Sequence, residues 1–142
     1  MSRVFTGPLY RLEINTREIE DALVEAFAVT NEMAKAQFDR AIESNWYPWP
    51  RVTKRRRGEA GSPRNIVDMG QLLGSHVGNK VSPTVYAHFW TAEYALYVHE
   101  GARLSNGTVL PARRWTEEAF KRWSFAEAFA LSAETILERR LP

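Results

Sequence analysis

The side chains able to do chemistry are few, and their spacing favours no catalytic site. The three histidines are His76, His88 and His99, and no two of them have the spacing at which helical residues share a metal ion. His99 and Glu100 are sequence neighbours, and neighbours on a helix point about 100° apart, so they predict no dyad. We therefore interpret the histidines as surface or interface residues and expect no metal site.

Two further patterns resemble catalytic or cofactor motifs only superficially. Ser75 and Ser105 lie outside any Gly-x-Ser-x-Gly nucleophile turn. The glycines of residues 70–74 (GQLLG) are not followed by the Lys-Ser/Thr of a phosphate-binding loop, and turn or strand-edge roles explain them better. The sequence predicts no catalytic residue and no cofactor. A hydrolase built from scattered side chains is the least favoured interpretation.

The strongest chemical signal is a run of positive charge, here called the basic segment (residues 51–64). It holds six basic side chains against one acid, Glu59, whereas the whole chain has a net charge of only +2. Its basic side chains are Arg51, Lys54, Arg55, Arg56, Arg57 and Arg64. With Trp46, Tyr47 and Trp49 just before it, this segment is the best candidate for nucleic-acid contact, because cations neutralise phosphates and aromatic rings stack on bases. A docking surface for an acidic protein and a solvated loop remain alternatives.

Length and composition bound the class of protein. The chain has 142 residues, of which 44% are hydrophobic and 25% charged, and no cysteine, as expected for a single globular domain over 1–142. No stretch reaches the roughly 20 apolar residues of a membrane span, so no membrane partner is predicted. The amino terminus lacks the apolar run of a secretory signal. We expect synthesis and assembly in the cytoplasm.

The elements that must position these residues begin with a long amino-terminal helix. Apolar residues recur at close to the 3.6-residue period, which predicts a helix from about Thr16 to Ser44, with Asn15 as its cap. A short strand is predicted before it, over residues 9–14. The prolines Pro48 and Pro50 end the helix. Residues 46–64 are then predicted to form a mobile basic and aromatic loop, with Trp46 or Trp49 packed under a sheet.

Strands follow, and then short helices. The pattern over 72–91 predicts antiparallel strands with a tight turn at Gly78-Asn79. Alternation places Val85, Ala87 and Phe89 on one face, and Tyr86, His88 and Trp90 on the other. We expect a helix over 92–99 closed by Gly101 in a left-handed cap, and a turn at Asn106-Gly107. The region 113–140 reads as two helices that meet near Trp123, with Ser124 and Glu127 as a capping box.

Three segments in this order resemble one family of viral proteins. Residues 63–75 (PRNIVDMGQLLGS) resemble the "IVDTG-x-L-x-x-S" stretch of the HK97 gp10-like neck and tail-completion (head-tail joining) proteins of tailed phages. Residues 92–101 (AEYALYVHEG) resemble their "Y-A-x-Y-V-E-x-G" element, and residues 111–115 (PARRW) their "A-R-P-F" start of the last helix. The resemblance spans about residues 16–130.

The resemblance implies a fold and a function. The fold is α+β, with a small antiparallel β-sheet packed by a long N-terminal helix, a short middle helix and a C-terminal helix. The function is structural: copies form a ring, a hexamer or dodecamer, at the head-tail junction of the virion, through which DNA passes. Expected partners are other copies, a head-side adaptor or connector, and the tail tube or a tail terminator, with non-specific contact to viral DNA. A tail-terminator ring and, from another class, a small basic nucleic-acid-binding protein are the alternatives.

Two sets of residues follow from these arguments. Predicted contacts with a neighbouring subunit, an adjoining ring or DNA are Trp46, Trp49, Arg51, Lys54, Arg55, Arg56, Arg57, Arg103 and Asn106. Predicted scaffold positions of the family motifs are Ile66, Val67, Asp68, Gly70, Leu72, Ser75, Tyr94, Tyr97, Val98, Gly101, Ala112 and Arg113. Among the scaffold residues, Tyr94, Tyr97 and Val98 share one helical face and are predicted to be core.

Overall fold

The structure, a computed structural model, describes residues 16–49, 53–55, 58–67 and 70–140, with 53–55 and 58–60 described by their backbone alone. The predicted α+β class is confirmed, with a long amino-terminal helix and antiparallel strands. The helices are α1 (Thr16–Glu43), α2 (Gln71–Gly74), α3 (Ala95–Glu100), α4 (Trp115–Arg122) and α5 (Phe125–Arg140). The strands are β1 (Thr53–Arg55), β2 (Gly58–Ala60), β3 (His76–Ser82), β4 (Val85–Trp90), β5 (Ala102–Arg103) and β6 (Val109–Leu110).

Helix α1 organises the described chain, because α5, α4 and the β3–β4 hairpin all contact it. Its predicted extent, about Thr16 to Ser44, is confirmed. Along its first half, Ala22 and Ala26 pack against Ala133 and Ile136 of α5. Along its second half, a larger core surrounds Trp115, which is 2% exposed. The other buried residues of that core are Ala34, Phe38, Ala41, Ile42, Tyr47, Ile66, Leu72, Ala95 and Ala119.

Strands in the described residues form three separate antiparallel pairs, β1–β2, β3–β4 and β5–β6. The β1–β2 pair lies where the sequence reads as an irregular loop, and a bridge between Tyr47 and Arg64 closes its base. The prediction for residues 46–64 is therefore corrected to include a short hairpin. The predicted strand over 9–14 and the Asn15 cap lie outside the described residues.

Two predictions about the middle of the chain are wrong. Leu72 does not begin a strand: it lies in α2, whose single turn is closed by a hydrogen bond from the Gly74 N–H to the Gly70 carbonyl at 2.9 Å. Gly78-Asn79 is not the hairpin turn, because both residues pair within the ladder and the chain reverses between Ser82 and Val85. A Cβ at Gly78 would lie 3.3 Å from the Tyr86 ring. The role of this glycine is therefore to leave room for the Tyr86 ring of the neighbouring strand.

The carboxy-terminal predictions hold well. A break at Trp123 separates α4 from α5, and the Ser124 hydroxyl accepts the Glu127 N–H at 3.2 Å, as in a capping box. Gly107 has φ +84 in the predicted turn. Gly101 has the positive φ expected of it but an extended ψ of 171, so it is not a left-handed helical cap. A Cβ there would lie 2.6 Å from the Leu110 carbonyl oxygen.

The family-motif positions have mixed outcomes. Ile66 and Leu72 are buried, and the Ser75 hydroxyl donates to the Leu72 carbonyl at 2.8 Å. Tyr97 is not core, since it is 59% exposed. Tyr94, Ala95 and Val98 face the core, and the direction that they share on the helix lies about 100° from Tyr97, which is therefore turned outward. The remaining positions are distributed as follows: Val67, Gly70, Tyr94, Gly101 and Arg113 are half-buried, Ala112 is exposed, and Asp68 lies outside the described residues.

Candidate assembly surface

The β3–β4 hairpin presents an apolar face away from the rest of the chain. The register pairs Val77 with Phe89 and Asn79 with Ala87, and alternation places Val85 on the same side. Val81 is the extra residue where the register shifts between Lys80 and Ser82. Val81 is 62% exposed, Val85 50% and Phe89 45%. We call Val77, Val81, Val85 and Phe89 the outer face.

The opposite, inner face carries the polar and aromatic residues and packs on α1. Tyr86 donates its hydroxyl proton to Glu32 at 3.2 Å, and His88 contacts Asn31 at 3.1 Å. Trp90 lies edge-on to Phe38, with ring centroids 5.5 Å apart. The predicted division of β4 into two faces is therefore correct. Its polarity is the reverse of the usual one, in which apolar residues face inward.

The edges of this hairpin are unpaired within the part of the chain that the structure describes. There, β3 pairs with β4 alone, and β4 with β3 alone. A strand edge that exposes its backbone N–H and C=O groups is a template for another strand. The exposed apolar face and the edges, which no described strand covers, both favour a partner.

A second apolar surface lies between α1 and α5. Val29 and Met33 of α1 and Leu131 of α5 are exposed around a groove of about 260 Å³. Ser132, Thr135, Ile136 and Arg139 complete its lining. At about 100° per residue, Val29 and Met33 lie on the side of α1 opposite to Phe38, which contacts the hairpin. We call this surface the α1–α5 groove, and it does not overlap the outer face.

The predicted aromatic contacts are engaged within the chain. Trp49 lies between two guanidinium groups, those of Arg64 and Arg113, each 4.4 Å from the centre of its ring. The Arg122 guanidinium lies over the Trp46 ring, 3.9 Å from its centre. Trp46 is also half-buried against the core around Trp115, and the packing of either tryptophan under a sheet stays a prediction. Such stacks are cation–π contacts, which attach residues 46–49 to the α4 region.

The predicted basic contacts are only partly described. Lys54 and Arg55 lie on β1, whereas Arg51, Arg56 and Arg57 lie outside the described residues. Arg103 is exposed on β5, opposite Val109. Asn106 has a local role, because its side-chain oxygen accepts the Thr108 N–H at 3.0 Å and shapes the turn.

His99 and Glu100 do interact, which corrects the sequence interpretation. The His99 Nδ1 lies 2.6 Å from a Glu100 carboxylate oxygen, and its Nε2 lies 2.7 Å from the Thr116 hydroxyl. The hydrogen bond from His99 is the main reason that the pKa of Glu100 is lowered, and Arg114 adds to it. The arrangement of acid, imidazole and hydroxyl has the order of a catalytic triad. It also joins the end of α3 to the start of α4.

His76 and His88 form a pair that sequence reasoning missed. His76 Nε2 lies 3.0 Å from His88 Nδ1, between the hairpin and α1. The two residues are twelve apart in sequence and become diagonal neighbours through the register His76↔Trp90 and Gly78↔His88. Their spacing in sequence does not predict a contact unless the position of the hairpin turn is known. The predicted turn at Gly78-Asn79 would have placed the two histidines apart. Among the described residues, no three His, Cys, Asp or Glu side chains are grouped so as to hold a metal ion.

Comparisons with known proteins add no relative. No known family model, curated protein or solved structure matches the chain. Within the described residues, no helix has the length and apolar character needed to span a bilayer. The outer face, the α1–α5 groove and the basic segment are therefore the features on which a function must be argued.

Proposed function

We propose that this protein is a structural virion protein of a tailed bacteriophage that forms a ring at the head-tail junction, the neck of the particle. In this role it completes or joins the tail, DNA passes through the lumen, and no bond is made or broken. Its partners are other copies of itself, the head-side adaptor, and the tail tube or terminator. A terminator ring that caps the tail tube is the closest alternative.

The observation that carries the proposal is the pair of apolar surfaces on opposite sides of α1. The outer face exposes Val81, Val85 and Phe89, and the α1–α5 groove exposes Met33 and Leu131. Two different surfaces that bind each other make a head-to-tail contact, and such contacts close into rings when the rotation permits. A single self-complementary patch would instead stop at a dimer. The outer face of one copy therefore packs on the groove of the next.

The absence of cysteine from the chain makes this arrangement directly testable. Phe89→Cys places one thiol on the outer face, and Met33→Cys places one at the groove. Mixed at high concentration and treated with a short thiol crosslinker, the two variants are expected to give a crosslinked dimer containing one chain of each. The double variant F89C/M33C is expected to give a ladder of larger oligomers.

The controls separate this geometry from others. Leu96→Cys, on an exposed position of α3 outside both surfaces, is expected to give no product with either partner. Crosslinking of F89C to itself would mean that the outer face is self-complementary and would contradict the head-to-tail ring. Absence of the mixed product at concentrations where the wild-type chain associates would contradict it as well.

The place of the ring in the particle needs a separate experiment. Deletion of residues 52–61 is expected to leave α1, β3–β4 and α5 folded but to prevent the joining of heads and tails. Particles of normal infectivity from that deletion would show that the basic segment is dispensable. An electron-microscopy map of the particle vertex tests the assignment itself, since density for this chain is expected at the collar and nowhere else.

The basic segment supports a second candidate of another class, a small nucleic-acid-binding protein. Its six basic side chains form the strongest charge cluster of the sequence, and binding to phosphates is steeply salt-dependent. Against it, Trp46 and Trp49 already stack on arginines and offer fewer free rings for bases. Replacement of Lys54, Arg55, Arg56 and Arg57 by serine is expected to leave crosslinking unchanged. If the wild-type monomer binds duplex DNA and the serine variant does not, that result would favour the second candidate.

A further inference from the structure

The inner face of the hairpin holds a continuous chain of polar contacts that ends on α1 at both sides. His76 Nδ1 lies 3.3 Å from an Asp39 carboxylate oxygen, and His76 Nε2 lies 3.0 Å from His88 Nδ1. His88 Nε2 lies 3.1 Å from the Asn31 side-chain oxygen. Two imidazoles thus connect two acceptors, the carboxylate of Asp39 and the carbonyl oxygen of Asn31.

Asn31 fixes the direction of this chain. Its amide nitrogen donates to the Phe27 carbonyl at 2.9 Å, and the residue is only 4% exposed. A rotated amide would set its oxygen against that carbonyl, so the oxygen must face His88. His88 therefore carries its proton on Nε2 and accepts on Nδ1. His76 in turn donates from Nε2.

These contacts have one N–H proton too few when both histidines are neutral. The three contacts need three N–H protons, and two neutral imidazoles supply two. With both donors used towards His88 and Asn31, the lone pair of His76 Nδ1 faces the Asp39 carboxylate. This is also the longest of the three contacts. One added proton at His76 Nδ1 completes the chain, whereas a second proton on His88 Nδ1 would oppose the N–H of His76 across 3.0 Å.

We propose that His76 and His88 form a one-proton site that ties the β3–β4 hairpin to α1, with the proton taken up at His76 Nδ1 against Asp39 and His88 held as the neutral Nε2–H tautomer. The inference concerns the single chain, and it stands independently of the ring proposed above. The site lies beneath the outer face and responds to pH. Burial lowers the pKa of both histidines, so proton uptake lowers the free energy of unfolding although it completes the contact with Asp39.

The surroundings enclose this site. The His76 side chain is 1% exposed and stacks on Trp90 with ring centroids 4.5 Å apart, and Phe38 lies edge-on to both histidines. The charged or titratable groups that face the pair are Glu32, Lys35 and Asp39 from α1, with Tyr86 beside His88 on the hairpin. From α4, Phe120 packs on Phe38 and Trp115 packs on Trp90, with ring centroids 5.3 Å apart in each pair.

These surroundings determine which of the two histidines is protonated first. Burial lowers the pKa of both histidines, and at His76 the hydrogen bond and charge of Asp39 oppose that effect. At His88 the positive charge of His76 adds to the effect of burial and lowers the pKa further. Strongly coupled groups release protons in separate macroscopic steps. His76 is therefore protonated first as the pH falls, and His88 only later.

The test is nitrogen-15 NMR of the imidazole rings in the wild-type chain during a pH titration. Above the histidine range, both rings are expected to show the Nε2–H tautomer. On acidification, His76 is expected to change first, with protonation at Nδ1, while His88 keeps its tautomer. An Nδ1–H tautomer at His88, simultaneous titration of both rings, or earlier titration of His88 would overturn the proposal.

A variant gives an independent measurement. Asp39→Asn removes the anion and is expected to shift the titration of His76 to lower pH without a change in the tautomer of His88. Glu43→Gln, at an exposed carboxylate of the last turn of α1, is the matched control and is expected to leave both titrations in place. An unchanged His76 titration in D39N would contradict the assignment of the proton to the Asp39 contact.

Discussion

The two faces of the β3–β4 hairpin differ in a way that single-chain folding does not explain. The inner face carries His76, His88, Tyr86 and Trp90 and buries them on α1, whereas the outer face leaves three valines and Phe89 in water. A half-buried strand pair usually has the opposite polarity. Buried polar groups are costly unless each one finds a partner, and His76, His88 and Tyr86 find partners here, whereas the buried indole N–H of Trp90 has none among the described residues. The chain thus uses hydrogen bonds to fasten the hairpin and leaves its apolar surface exposed, and the proposed function assigns that surface to contact with a neighbouring copy.

The comparison assigns the two faces different tasks. The inner face holds the hairpin in position, and its contacts belong to the stability of the monomer. The outer face contributes little to the stability of the monomer, since its side chains are between 37% and 62% exposed. Mutations on the two faces must therefore separate folding from association.

The largest expected effect is on folding, at Phe38. This ring contacts His76, His88, Trp90 and Phe120 at the junction of α1, the hairpin and α4. Phe38→Ala is expected to lower the free energy of unfolding by about 3–5 kcal/mol, because it removes a buried ring and leaves a cavity. Urea denaturation followed by circular dichroism measures the loss.

Phe89→Ala on the outer face is the matched control for that change. It is expected to cost the monomer about 1 kcal/mol, because Phe89 is 45% exposed and loses only part of a full burial, and to weaken self-association. If the two alanine variants lowered monomer stability equally, the outer face would be part of the core and the division of tasks would be wrong.

A smaller effect is expected from pH, through the inner face alone. The pKa values of His76 and His88 are lowered in the folded chain from the ordinary value of 6.5, mainly by burial. The unfolded chain then binds more protons below that value, so the free energy of unfolding falls as the pH drops below 6.5 and is fully retained above it. Urea titrations from about pH 8 to pH 5 measure the slope. The double variant H76Q/H88Q is expected to flatten it, and an equally steep slope in that variant would place the effect elsewhere.

A further effect, of a similar small size, concerns the third histidine, which lies away from the hairpin. Thr116→Val removes the hydroxyl next to His99 Nε2 and is expected to cost about 0.5–1.5 kcal/mol, the value of one hydrogen bond. The same variant tests the non-enzymatic proposal with a simple activated ester as substrate. Turnover by the wild-type chain that disappears in T116V would give the Glu100–His99–Thr116 arrangement a catalytic role.

Local rules predicted a good part of this fold. The period of apolar residues located α1, and the break at Trp123 with its Ser124 cap located the junction of α4 and α5. The division of β4 into two faces also followed from alternation alone. The hairpin turn was misplaced because Gly78-Asn79 is a stronger local turn signal than Pro83-Thr84, whereas the cross-strand ring of Tyr86 required the glycine inside the strand. The predicted contact tryptophans, Trp46 and Trp49, found arginine partners that no local pattern indicates.

By itself, then, the sequence determined the long helix, the alternation of the strands and the concentration of positive charge in residues 51–64. Those properties depend on neighbours a few positions apart. The tertiary structure alone decided which face of the hairpin meets α1, that His76 meets His88, and that His99 meets Thr116. Alternation states which side chains share a face, but burial of that face depends on the shape and hydrogen-bonding groups of a distant helix. Asn31 and Asp39 of α1 supply those groups here.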